Sequence, residues 1–178
     1  MTSFIDTHCH LDKLDSSPEE AIIEANQVGV DNMITISVDE SSINFVSSIV
    51  NQFSGVYGSV GFHPHEALSF SEILEERIIQ LAEEQDKLIA IGETGLDYHY
   101  MYSPAKVQQQ VFRKHIEIAD MLNLPLILHT REAETDTMNI LKDFPAKPIG
   151  VAHSFTGSFE MARKLVEMGW YIGINGIV

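Results

Sequence analysis

Phe4-Ile5-Asp6-Thr7-His8-Cys9-His10 is an apolar run that ends in two histidines spaced i, i+2. In an extended chain, residues two apart point to the same side at roughly 6–7 Å, so both imidazoles can converge on one metal ion. Cys9 between them faces the other way, where a small buried side chain is the expected role. Taken alone, a His-x-His pair reads equally well as two polar loop residues. Four later strand-like runs end the same way. Residues 56–60 lead into Gly61-Phe62-His63-Pro64-His65, 88–91 into Gly92-Glu93, 126–128 into His129 and 149–152 into His153.

The segments between these runs read as helices. Ser17 and Glu20 have capping-box spacing, Pro18 suits the first helical position, and Ala21, Ile22, Ala25 and Val28 repeat at helical period before Gly29 closes the segment. A short strand over 33–36 follows, then a helix carrying Ile43, Val46, Ile49, Val50 and Phe53. Ser69 and Glu72 again have capping-box spacing ahead of a helix over 71–84. Ser103-Pro104 starts the longest helix, with Val107, Val111, Ile118 and Leu122 on one face and His115 on that stripe as a packing residue. A helix through Met138, Ile140 and Leu141, another over 158–168 stopped by Gly169, and a strand over 170–174 complete the chain.

Strand and helix alternate strictly, and the strands are continuous apolar runs, which predicts a parallel sheet buried on both faces. An open doubly wound sheet gathers ligands at one switch point. Here the reactive residues follow strands one, three, four, five and six, which needs a ring where all those ends meet. The expected fold is therefore α/β, a (β/α)₈ TIM-barrel type in one domain over 1–178. With about seven strands and six helices against the ~250 residues of a typical barrel, it is expected to be incomplete at the C-terminus, with strands one and seven as open apolar edges.

The 178 residues carry a formal net charge of −15. Such a surface repels nucleic acid in general and offers no basic stripe for a phosphate backbone, so a phosphate substrate would need metal ions for local positive charge. The single cysteine fits a reducing cytosol, and the N-terminus lacks a signal-peptide pattern, so a cytoplasmic location is expected. No apolar run reaches the ~18 residues that a membrane helix needs, and no obligate protein partner is evident.

His129 and His153 each end a very apolar strand, where a lone histidine is usually a hydrogen-bonded core residue. Two of them beside His8 and His10 favour a metal site instead. Glu93 at a strand end would be costly if unpaired, so it reads as a ligand, with pairing to Arg131 or another base as the structural alternative. His63 and His65, fixed by Pro64, are substrate-contacting or loop-stabilising. Asp97 and Arg131 are candidates for orienting ligands or binding an anion. His99 lines the site mouth or is merely solvated, and the acidic run Glu72, Glu75, Glu76, Glu83 and Glu84 is a solvated helix face.

Taken together, Asp6-Thr7-His8-Cys9-His10-Leu11-Asp12, Gly61-Phe62-His63-Pro64-His65, Ile91-Gly92-Glu93-Thr94-Gly95-Leu96-Asp97-Tyr98, His129-Thr130-Arg131-Glu132 and His153-Ser154-Phe155-Thr156-Gly157 resemble the TatD family of metal-dependent deoxyribonucleases. The resemblance extends through Tyr171-Ile172-Gly173-Ile174-Asn175-Gly176. It implies a TIM barrel related to the amidohydrolases, with His8, His10, Glu93, His129 and His153 as ligands and Glu93 bridging and catalytic. On the reading of the residues themselves, His63, His65 and Arg131 are the expected substrate-binding residues. Two divalent cations, Zn²⁺, Mn²⁺ or Mg²⁺, would act on DNA ends or on another phosphodiester or ester substrate. The family also carries an aspartate after strand eight, as ligand and base, that this chain does not reach. Alternatives are an ester or amide hydrolase, for example on misacylated tRNA, and an inactive metal-binding fragment.

Overall fold

A computed structural model describes residues 3–144 and 149–176. The strands are β1 (Phe4–Cys9), β2 (Val30–Ile36), β3 (Val56–Val60), β4 (Leu88–Asp97), β5 (Leu126–Arg131), β6 (Gly150–Ala152) and β7 (Tyr171–Ile172). The helices between them are α1 (Pro18–Gln27), α2 (Glu40–Ile49), α3 (Glu72–Glu84), α4 (Ala105–Leu122), α5 (Glu134–Lys142) and α6 (Phe159–Glu167), with a short 3₁₀ helix at Pro64–Ser69. The strands pair in chain order, β1 to β7, each parallel to the next, and the sheet curls into part of a TIM-type barrel. All strands thus present their C-terminal ends on one side. Among the described residues, β1 and β7 are the sheet's edges, where Ile5 and Tyr171 are 60% and 72% exposed.

Side-chain alternation along the strands sorts the apolar residues into two layers. One face packs under the helices in the main core, which includes Met33, Val60, Ile91, Leu126 and Leu128. The other carries a smaller cluster of Ile36, Ala90 and Ile127, backed by Ile34 and Val151, on the concave side. Helix α4 is the chief buttress: Val111, Phe112, Ile116, Ile118 and Ala119 all face the core. Burying each of its large apolar side chains contributes about 1.5–3 kcal/mol.

At the start of α1 both halves of the capping box form, with Ser17 Oγ accepting from the Glu20 amide and Glu20 Oε2 accepting from the Ser17 amide. Gly29 follows α1 with φ of 91°, the left-handed conformation that suits a helix stop. Helix α3 departs from expectation: its cap is Ser71, whose hydroxyl accepts from the Leu74 amide. Ser69 instead ends the 3₁₀ helix after the His-Pro-His segment and bonds back to the Glu66 carbonyl. Strand β4 also runs further than its apolar stretch, through Gly92, Glu93 and Gly95 to Asp97. Both glycines keep positive φ, and Gly92 lies so close to β3 that a Cβ on Gly61 would sit 2.6 Å from its Cα. No helix among the described residues is long and apolar enough to cross a membrane.

Candidate metal centre

The C-terminal strand ends enclose a cleft of about 420 Å³ lined by His8, His10, His63, His65, Glu93, His129 and His153. Glu93 is its centre, 4% exposed and held from behind by Ser37. The Glu93 amide donates to the Ser37 carbonyl (3.1 Å), while the Ser37 hydroxyl is paired with both the amide (2.9 Å) and carbonyl (3.1 Å) of Gly61. One buried serine thus ties together the ends of β2, β3 and β4.

The two oxygens of Glu93 face different histidines. Oε2 lies 3.3 Å from His8 Nε2, and Oε1 lies 3.1 Å from His129 Nδ1 and 3.9 Å from His63 Nε2. Ligand atoms of His8, His10 and Glu93 lie within 4.8 Å of one another, and so do those of His63, Glu93 and His129. His153 belongs to neither group; its ring stacks on that of His8 with centroids 3.2 Å apart. Arg131 does not pair with Glu93; the base that does is His129. The Arg131 guanidinium lies 5.0 Å from the centre of the Tyr100 ring.

Hydrogen bonds assign the imidazole nitrogens. His10 Nδ1–H donates to the Ile36 carbonyl (3.1 Å), which leaves the Nε2 lone pair free, the state a metal ligand needs. His63 is arranged the other way. Its Nδ1 accepts from the His65 amide (3.1 Å), so Nε2 carries the proton and points a donor toward Glu93. Both nitrogens of His8 and Nε2 of His65 are buried with no hydrogen-bond partner among the described residues. His8 Nε2 and Glu93 Oε2 approach closely without hydrogen-bond geometry, as two ligands aimed at a shared cation do. Neutral imidazole with carboxylate is donor chemistry that fits Zn²⁺ or Mn²⁺, and Mg²⁺ less comfortably.

Electrostatics follow from burial and partners. Burial lowers the His63 pKa to about 3, against the pull of Glu93, and burial with the nearby His8 lowers His153 to about 4. Both stay neutral at pH 7. For His129, burial is outweighed by hydrogen bonds to Asp97 and Glu93, which raise its pKa to about 9. Burial works against the charge on Glu93, yet the His129 and His8 imidazoles hold its carboxyl well below the usual range. Burial likewise opposes the charge on Asp97, and His129 and the Tyr100 amide outweigh it to hold that carboxyl low.

Asp97 is the second buried carboxylate, 1% exposed, with Oδ2 3.0 Å from His129 Nε2 and 3.2 Å from His65 Nε2. The sequence marked it as a candidate for orienting ligands or binding an anion; it is hydrogen-bonded to His129, while His65 Nε2 only approaches it, without hydrogen-bond geometry. Lys13 and Glu66 also line the cleft without having been singled out, and neither sits in a motif that would have shown it. His99 is exposed and paired with Glu132 at 2.7 Å. His115 is fully buried in packing, as its place on the helical stripe predicts, whereas Cys9, expected to be buried, is half-buried with its thiol on the Ile34 carbonyl.

A curled parallel sheet whose strand ends deliver histidines around a central carboxylate is the arrangement of a TIM-type metal site. The chain belongs to the TatD related DNase family, whose model matches residues 5–178. It is 36% identical over 176 residues to the uncharacterized metal-dependent hydrolase YabD of Bacillus subtilis, covering 97% of this chain and 69% of the relative. It is 35% identical over 179 residues to deoxyribonuclease Tat-D of Schizosaccharomyces pombe, covering 94% of this chain and 56% of that protein. The crystal structure of YjjV, a TatD homologue from Escherichia coli, superposes with a TM-score of 0.85 at 30% identity, covering 95% of this chain and 66% of the other. The chain thus spans just under two thirds of that solved relative's length.

Proposed function

We propose that the chain carries the metal site of a hydrolase that cleaves phosphodiesters at DNA ends with two divalent cations. The observation that carries this reading is the division of Glu93: each oxygen faces its own histidine group, as a carboxylate shared by two cations requires. His8, His10 and Glu93 would hold one cation, and Glu93 and His129 the other; His153, stacked on His8, would be a further ligand on the His8 side. When bound, the cations polarise the phosphoryl oxygen and lower the pKa of water toward neutrality. The remaining roles fall to the chain itself. His63 presents a neutral Nε2–H to a phosphate oxygen, His65 stands beside it on Asp97, and Arg131 offers a fixed positive charge at the rim. Membership of a DNase family, and the name of the fission-yeast relative, support DNA as the substrate.

The test is to follow an end-labelled oligodeoxynucleotide and a p-nitrophenyl ester side by side with Mn²⁺ and after chelation, using the wild type and His129→Ala. Metal-dependent nucleotide release, lost on chelation and in the variant, is the expected outcome. Turnover of the ester alone sinks the nuclease reading, and turnover of neither leaves only metal binding.

A further inference from the structure

Between β4 and α4 the chain reads Tyr98-His99-Tyr100-Met101-Tyr102, and its three tyrosines are treated differently. Tyr98 is half-buried, with its hydroxyl donating to Asp136 Oδ2 at 2.8 Å. Tyr100 and Tyr102 are 47% and 66% exposed, and neither hydroxyl has a hydrogen-bond partner among the described residues. Their rings lie 5.5 Å apart, tilted by 30°, and close against the His65 ring at 5.5 Å and 4.7 Å. His65 in turn approaches Asp97, which holds His129, so two side chains separate the exposed rings from the His129 imidazole.

The backbone on both sides of the pair is fixed. The Tyr100 amide donates to Asp97 Oδ1 at 2.8 Å, and Met101 makes the turn with φ of 53°. Ser103, fully buried, donates its hydroxyl to the His65 carbonyl at 2.8 Å and accepts from the Leu68 amide at 3.2 Å. Two ring faces are therefore presented to solvent from a backbone fixed on both sides. Arg131 lies over Tyr100 with no carboxylate within ion-pair distance among the described residues, so its charge is available to a phosphate.

We propose that Tyr100 and Tyr102 form a stacking platform for an unpaired nucleobase beside the scissile phosphodiester, with Arg131 taking an adjacent phosphate. The proposal rests on the nuclease reading and deepens it by naming the side chains that would hold a base of the DNA end. A net charge of −15 repels a long phosphate backbone, so affinity has to come from contacts that do not depend on backbone charge. Base stacking on an aromatic ring is such a contact, tolerant of sequence, and open only to a base outside a paired stack.

The test is equilibrium binding by fluorescence anisotropy on the protein as purified, with probe integrity checked by gel. The probes are a 5′-fluorescein thymidine decamer and the same decamer with abasic residues, which has identical charge. Wild type is expected to bind the base-bearing probe about 5- to 100-fold more tightly, the range that stacking gives. The Tyr100→Ala/Tyr102→Ala double variant is expected to bind the two probes equally, and Tyr100→Phe/Tyr102→Phe to keep the preference. Equal binding of both probes by wild type overturns the platform, and so does a preference that survives in the double alanine variant. Hydrolysis of the thymidine decamer with Mn²⁺ is read separately. Cleavage without base preference removes the platform and leaves the nuclease reading standing; base preference without cleavage does the reverse.

Discussion

His115 beneath the β3 loop and His129 at the end of β5 are both withdrawn from open water, yet they are pushed in opposite directions, to about 4 and about 9. Burial lowers both. His115 meets only backbone: its Nδ1–H donates to the Val111 carbonyl at 2.8 Å and its Nε2 accepts from the Phe62 amide at 3.0 Å. Protonation would set a second N–H against that amide. His129 instead lies between two buried carboxylates, at 3.1 Å from Glu93 and 3.0 Å from Asp97. The depth of a histidine therefore says little about its role, and the charge of its partners separates the two regions. Backbone partners make a neutral strut, and carboxylates make a site that accepts positive charge.

The largest expected effect breaks the charged side of this contrast. Glu93→Gln keeps the volume and removes the anion shared by both histidine groups. Loss of residues that merely support a ligand costs about 10–100-fold in metal affinity, so loss of this carboxylate is expected to cost at least about 100-fold. Metal content by elemental analysis and turnover with Mn²⁺ should fall together. Unchanged metal content in a folded variant would show that Glu93 is not the shared ligand.

The neutral side is tested by His115→Ala, which strands the Phe62 amide beside a cavity, while the Val111 carbonyl keeps its helical bond from the amide of residue 115. An unsatisfied buried group costs about 1–3 kcal/mol and the cavity adds to it, so a total near 3 kcal/mol at pH 7 is expected in urea denaturation. The pH dependence carries the sign. The folded pKa of about 4 lies below the unfolded value of ~6.5, so between those values only the unfolded chain takes up the proton. The stability that His115 contributes is therefore full above pH 6.5 and is lost by about 3 kcal/mol as pH falls toward 4. Wild type and variant should converge in stability at pH 4. A constant gap between them from pH 7 to 4 would contradict the neutral-strut role. Metal affinity of the folded variant should change far less than in Glu93→Gln.

Much of this contrast was legible in the sequence because strand geometry is local. An apolar run that stops at a histidine or a glutamate places that side chain at a strand end, and five such ends in strict βα alternation leave a parallel barrel as the economical solution. His115 was readable as packing from the helical stripe of Val111, Ile118 and Leu122. The pairings that complete the site were not readable, because they join residues far apart in sequence. Ser37 reaches Gly61 and Glu93, and Asp97 reaches His129, with no local pattern to announce either contact. Gly92 and Gly95 read as the end of a strand, yet β4 continues through both because close neighbouring backbones exclude a side chain there. The same limit applies to the cap of α3, where Ser69 and Ser71 both precede the apolar repeat and only the second is placed to accept the Leu74 amide.

The smallest expected effect sharpens the boundary between the two regions, because it changes one partner's charge and little else. Asp97 Oδ1 accepts from the His99 and Tyr100 amides, and an asparagine oxygen can keep both bonds. Gln108, fully buried, holds the same residue by accepting from its amide at 2.8 Å and donating to its carbonyl at 3.0 Å. Asp97→Asn should therefore fold with its loop in place while His129 and His65 lose their shared anion. Partners that orient metal-bound histidines are worth about 10–100-fold, so metal affinity and kcat/KM are expected to fall within that range, with urea stability nearly unchanged. If stability collapses instead, Asp97 belongs with His115 among the structural struts. If affinity drops as far as in Glu93→Gln, Asp97 is itself a ligand, and the centre extends one carboxylate further along β4.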